Sequence, residues 1–128
     1  MGATIDHVGI PATDPEAAAS FLAWVLGEGV VRADGPPGDG GRDMFSLFLD
    51  GWSLAYVRVP QPARQHLAIR VGEGTFDAAV ERLTGRGIPF GNDPENPANG
   101  HRDDPLGGAG RAYFTDPDGH LFELVASS

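Results

Sequence analysis

The chain has no cysteine among its 128 residues. Disulfides, thiolate-held metals and cysteine nucleophiles are therefore excluded. Basic residues are scarce: 9 Lys and Arg stand against 18 Asp and Glu, a formal charge of −9 at pH 7. Such a balance disfavours nucleic acid and anionic membranes as partners, because both are polyanions. No apolar run nears the roughly 20 residues of a membrane span, and the N-terminus lacks the basic and apolar regions of a secretory signal. A cytoplasmic protein is expected. A length of 128 residues suits one domain with a real core.

Glycine (19) and proline (11) are plentiful and gather in two loops, 35–41 and 92–110. Between them the pattern is regular. Residues 3–12 ("ATIDHVGIPA") read as a strand. A helix follows, with Asp14 as N-cap, Pro15 at the first helical position and Glu16 at the positive end of the dipole. Phe21, Val25, Ala17, Ala18 and Trp24 cluster on one side, and Gly27 and Gly29 stop it. "VVRAD" is a short strand, and "DMFSLFLDGWSLAYVRV" is two strands split at Asp50-Gly51, the type I′ hairpin signal. Trp52, at the start of the second of these strands, fits core, cavity wall or dimer contact.

The order then repeats. Residues 64–71 are a strand. Residues 75–87 are a helix with Thr75 as cap and Phe76, Ala79, Val80 and Leu83 at i, i+3, i+4 and i+7. "IPFG" (88–91) is a short strand, and "RAYFTD" and "HLFELV" form a hairpin across "PDG". His7 stands before Gly27-x-Gly29 as His66 stands before Gly85-x-Gly87, and Asp50-Gly51 corresponds to Asp118-Gly119. The chain thus reads as two tandem βαβββ modules, 1–60 and 61–128, joined near Pro60 and Pro62. Each is too small to be self-sufficient. The expected fold is α+β: one continuous, curved, cup-shaped mixed sheet with both helices on its outer face.

Side chains alternate along a strand. Val8 and Ile10, then Leu67, Ile69 and Val71, then Phe122 and Leu124, form apolar faces suited to pack under helices. His7, His66 and Glu123 are left together on the opposite, concave face. A buried carboxylate needs a partner. Two imidazoles and one carboxylate have the composition of a facial triad, which holds a divalent metal and keeps positions open for substrate. Taken singly, each residue is as readily structural; the repeat is what puts all three on one face.

The segments "IDHVGIPATDPEAAASFLAWVLG", "HLAIRV" and "YFTDPDGHLFELV" resemble the vicinal oxygen chelate superfamily, and the resemblance covers nearly the whole chain. That superfamily includes glyoxalase I, extradiol dioxygenases, methylmalonyl-CoA epimerase, fosfomycin-resistance proteins and bleomycin-binding proteins. The resemblance implies paired βαβββ modules around a metal, with ligands from the first and last strands of each module. Carried over, those positions are His7, Ala55, His66 and Glu123. Alanine cannot ligate, so the set looks like the three-ligand pattern of the dioxygenases and fosfomycin transferases rather than the four-ligand one. Gly9 stands where the fosfomycin enzymes have threonine, and their basic tail is missing here. The resemblance therefore implies a dioxygenase-like enzyme of a small oxygen-rich substrate, using Fe(II) or Mn(II), with Zn(II) and Ni(II) as other ions. A drug- or metabolite-binding resistance protein and a glyoxalase-like lyase or thiol transferase are the rival readings. The family often pairs its chains, so a homodimer is compatible with it.

Four further residues matter. His101, inside loop 92–110, is a general acid/base or substrate contact if that loop is a lid, and otherwise an exposed loop histidine. Tyr113 can hydrogen-bond a metal-bound oxygen or pack in the wall. Arg70 shares the face of His66 and either meets an anionic substrate or reaches solvent. His120 is read as a turn residue rather than a ligand.

Overall fold

A computed structural model describes residues 2–36 and 43–128. Most of the expected loop 35–41 lies outside the described residues. The elements run β1 (His7–Ala12), α1 (Pro15–Leu26), β2 (Val30–Ala33), β3 (Met44–Phe48), β4 (Ser53–Arg58), β5 (His66–Gly72), α2 (Glu73–Gly85), β6 (Arg111–Thr115) and β7 (Leu121–Ser127). The chain divides into two compact units: the described residues of Met1–Trp24 with Glu28–Ala63, and Arg64–Ser128 with Val25–Gly27. Expected as one continuous sheet, the strands are hydrogen-bonded as two, one in each unit.

The first sheet has the order β1-β4-β3-β2, with β1 parallel to β4 and the other pairs antiparallel. Asp14 caps α1 as expected, its Oδ1 accepting the backbone N–H of Ala17 at 3.1 Å. Ala18, Ala19, Leu22, Val25 and Leu26 of that helix are buried, as are Ile10, Leu47, Leu54 and Tyr56 of the strands.

The second sheet has the order β5-β7-β6, again with the first strand parallel to the last. Helix α2 packs against β5 and β7. Its buried residues are Phe76, Ala79, Val80 and Leu83, the four at helical spacing. Each such side chain contributes roughly 1.5–3 kcal/mol by leaving water, less for alanine.

Three local expectations are corrected. Residues 88–91 form no strand; they contribute one bridge, Gly91 to Tyr113. Pro89 has no N–H to give a ladder, and the N–H of Ile88 is turned back to the carbonyl of Leu83 at 2.9 Å. Thr75 is not the cap of α2, which starts at Glu73 directly from β5, with extended Gly72 at the capping position and no side-chain cap. The Asp50-Gly51 turn is not type I′. Gly51 has φ +81°, but no described non-glycine residue has positive φ, and type I′ needs two such residues while type II needs one, at its third position. The second hairpin differs again. Gly119 (φ +83°) follows Pro117 and Asp118, and its N–H bonds the carbonyl of Asp116 at 2.9 Å, as in a type I turn closed by a left-handed residue.

Candidate functional site

The strand alternation holds. Ile10, Ile69, Phe122 and Leu124 are buried, while His7 and His66, on the other faces of β1 and β5, are exposed. Glu123, although it bears a carboxyl group, is only 6% exposed. Its register explains how it is reached. Glu123 stands opposite Ala68 in the parallel pair β5/β7 and opposite Tyr113 in the antiparallel pair β6/β7. His66, two residues before Ala68, is on the same face, and its Nε2 lies 2.9 Å from Oε1 of Glu123. The rings of His66 and Tyr113 are 6.0 Å apart.

The other oxygen of Glu123 has a partner that the sequence reading missed. Nη1 of Arg111 donates to Oε2 of Glu123, and Nε of Arg111 donates to Oδ1 of Asp104 at 2.9 Å. Asp104 is in loop 92–110, and its carboxyl is held below the usual range chiefly by the hydrogen bond from Arg111. A signal for Arg111 did exist, since it is two residues before Tyr113 and so shares its face.

Loop 92–110 is built around its own polar side chains. Asn92 and Asn99 bond reciprocally: Nδ2 of Asn99 donates to Oδ1 of Asn92 at 2.9 Å, and the N–H of Asn92 to Oδ1 of Asn99 at 3.2 Å. Gly91 is bonded in both directions to Tyr113. A side chain at 91 would meet the backbone of Asn96 and Asn99 within 2.9 Å, so glycine is what lets the loop double back there. The loop and β6 border an open cavity of about 430 Å³ lined by Asn92, Asn99, Pro105, Leu106, Arg111 and Tyr113, among others. A second cavity, of about 380 Å³, is lined by Arg64, His66, Pro94, Thr115 and Leu121 with their neighbours. His101 is exposed and lines neither of these two; its N–H bonds Oδ1 of Asn99 at 2.9 Å. Arg70 is exposed as well.

His7 belongs to the first unit. Its Nδ1 lies 2.8 Å from Oδ2 of Asp6, which leaves Nε2 as the free lone pair when Nδ1 carries the proton.

Does the pair in the second unit fit a metal? Metal–ligand bonds of about 2.1 Å at right angles separate neighbouring donor atoms by roughly 3 Å. His66 Nε2 and Glu123 Oε1 already stand at that separation. The donor set fits a borderline divalent ion that replaces the hydrogen bond between His66 and Oε1, and Arg111 holds only Oε2.

Another group of potential ligands, Asp116, Asp118 and His120, has its donor atoms within 4.8 Å of one another. It is better read as the scaffold of the turn. Nδ1 of His120 accepts the N–H of Gln65 at 2.9 Å. The neutral ring must then carry its proton on Nε2, so no lone pair remains for a cation. Oδ1 of Asp116 accepts the N–H groups of Asp118 and His120. Burial pushes the Asp116 carboxyl above its usual range.

Comparison with known proteins agrees with this frame. The family model of the Glyoxalase/Bleomycin resistance protein/Dioxygenase superfamily matches residues 4–124. The chain is similar to the solved structure of oxidase ChaP-H2, at 30% identity over 100% of this chain and 96% of that one, with a TM-score of 0.84. It is similar to oxidase ChaP-H1 at 28% identity, covering 99% and 98% of the two chains, with a TM-score of 0.85. TnmS3, an antibiotic binding protein from Streptomyces sp. CB03234, matches at 26% identity over 98% and 97%, with a TM-score of 0.69. No described helix is long and apolar enough to cross a membrane. With a βαβββ unit followed by a βαββ unit and a family match over nearly its whole length, the chain belongs to the Glyoxalase/Bleomycin resistance protein/Dioxygenase superfamily, the vicinal oxygen chelate proteins.

Proposed function

We propose that the chain is a metal-dependent, dioxygenase-like enzyme of this superfamily, acting on a small oxygen-rich molecule, with His7, His66 and Glu123 as metal ligands. The observation that carries this reading is the buried carboxylate of Glu123 facing Nε2 of His66 at 2.9 Å. Burying a carboxylate is costly, and a site that aims it at an imidazole has the donor set of a cation site. His7 joins it as the residue that occupies the place of His66 in the first module. Bound Fe(II) or Mn(II) would supply Lewis-acid or redox chemistry to a chelating substrate. The chain's own groups do the rest. Tyr113, in the cavity wall beside His66, offers its hydroxyl to a substrate oxygen. His101 is the second candidate for proton transfer; replacing it by Gln should lower turnover about 100-fold or more if it acts as general acid or base. The two similar oxidases favour oxidative chemistry. A cytoplasmic homodimer is part of the proposal.

The test is anaerobic purification, reconstitution with Fe(II) or Mn(II), and metal analysis by mass spectrometry. One ion per chain is expected in the native protein, with binding at least about 100-fold weaker in Glu123→Ala, since even outer partners of a metal are worth 10–100-fold. If neither ion binds, the reading is overturned. A second reading, sequestration of a small molecule without chemistry, is favoured by the similarity to antibiotic-binding TnmS3 and by the ion pair that Glu123 already has. Under it, Glu123→Ala keeps its ligand affinity.

A further inference from the structure

Arg111 is 15% exposed at its side chain and stands between two carboxylates, Asp104 at 3% and Glu123 at 7%. A guanidinium has five N–H donors in one rigid plane, so it can bind two carboxylates at fixed angles. Here Nε is committed to Oδ1 of Asp104 and Nη1 to Oε2 of Glu123. Asp104 is itself the hub of a turn in the loop: it accepts the N–H of Leu106 at 2.9 Å and of Gly108 at 3.2 Å. Leu106 lines the cavity. A continuous set of bonds therefore runs from the cavity wall, through Asp104 and Arg111, to the carboxylate that faces His66.

We propose that Arg111 is a positioning residue: it occupies Oε2 of Glu123 so that the carboxylate offers only Oε1 beside His66, and Asp104 ties this grip to the loop. The inference rests on the metal-enzyme reading above and adds the means by which the ligand geometry is set. Held this way, Glu123 cannot turn to give both oxygens to one ion, which keeps a coordination position open for substrate. Charge is also balanced. Asp104, Arg111 and Glu123 together carry one negative charge, and a divalent ion with neutral imidazoles turns that into one positive charge, suited to an anionic oxygen chelate. Seating the substrate against Leu106 then bears on the same bonds that hold the metal's carboxylate.

The test is Mn(II) titration of the full chain, followed by calorimetry and by electron paramagnetic resonance, in native protein and in Arg111→Met, Arg111→Lys, Asp104→Asn and Glu123→Ala. Arg111→Met should bind Mn(II) about 10–100-fold more weakly and give an altered resonance line shape. Arg111→Lys should restore binding only in part, because an ammonium cannot grip two carboxylates in one plane. Asp104→Asn should show a smaller loss with a changed line shape, and amide exchange in 104–108 should no longer respond to Mn(II). If Arg111→Met fails to fold, Arg111→Lys and Asp104→Asn carry the test. Native affinity and line shape in the Arg111 variants, or tighter Mn(II) binding in Arg111→Met, overturn the inference while the Glu123→Ala loss leaves the metal reading intact. No difference between native protein and Glu123→Ala overturns the metal reading itself.

Discussion

In the first unit, β1 and β4 put Gly9 opposite Ala55, with His7 two residues earlier; in the second, β5 and β7 put Ala68 opposite Glu123, with His66 two residues earlier. The backbone repeats even at the strand entrances, where Ser53 bonds the carbonyl of Asp6 and Leu121 that of Gln65. On the next strand over, Ser46 faces Ala55 as Tyr113 faces Glu123, and Met44 faces Val57 as Arg111 faces Val125. One backbone plan thus bears Met44, Ser46 and Ala55 in one copy and Arg111, Tyr113 and Glu123 in the other. Ser46 gives its hydroxyl to Asp34 at 2.8 Å and is fully buried, a structural use of the place where the second copy has a cavity-lining phenol. The comparison shows that two copies can share one register while one bears ion-paired, polar side chains at three positions and the other a small, largely apolar set.

Exchanging the last-strand residues breaks the comparison most strongly. Ala55→Glu puts a carboxylate at a site only 4% exposed, with no arginine on the neighbouring strand to hold it. It should cost on the order of 3–5 kcal/mol, the scale of an uncompensated buried charge, read as a lower denaturation midpoint. If the first copy still has the geometry of a ligand site, Mn(II) recovers part of that loss, and His7→Ala abolishes the recovery.

The helices offer a smaller test. Asp14→Ala should destabilise by about 1 kcal/mol, as the loss of a capping carboxylate does. Thr75→Ala, at the place that sequence pattern makes equivalent, should be near neutral, because α2 has no side-chain cap. Urea unfolding of the two variants distinguishes them.

The smallest effect expected is in pH dependence. Burial raises the folded Asp116 carboxyl, so its contribution is fully present below its unfolded value and is lost as pH rises through the folded one. Asp104 is the reverse: lowered by Arg111, it contributes above the unfolded value and loses that contribution as pH falls through the folded one. Difference curves of native protein against Asp116→Asn and Asp104→Asn should therefore slope in opposite directions across the acid range.

What could be read from the sequence was what is periodic. Alternation placed Glu123 and the two histidines on the polar faces, and helical spacing found Phe76, Ala79, Val80 and Leu83, because burial imposes those periods on the chain itself. The errors came where one residue's chemistry overrode the pattern. Pro89 removed the donor that a strand needed, and the direct run of β5 into α2 left Thr75 inside its helix. Asp50-Gly51 carries the dipeptide of a type I′ turn without its two positive φ angles. Alternation could have put Arg111 on the face of Tyr113, but its partner Asp104 was illegible for a different reason: that ion pair is closed by an irregular loop, and no period predicts where a loop returns.

That loop has a further consequence. The reciprocal bonds of Asn92 and Asn99, with Gly91 pinned to Tyr113, tie its first half to itself and to β6 through the chain's own groups. The conformational entropy of ordering it is therefore lost on folding and not again on binding. A ligand meets a preorganised rim, so its association should proceed with a heat-capacity change set by the apolar area it covers rather than by any folding of the rim.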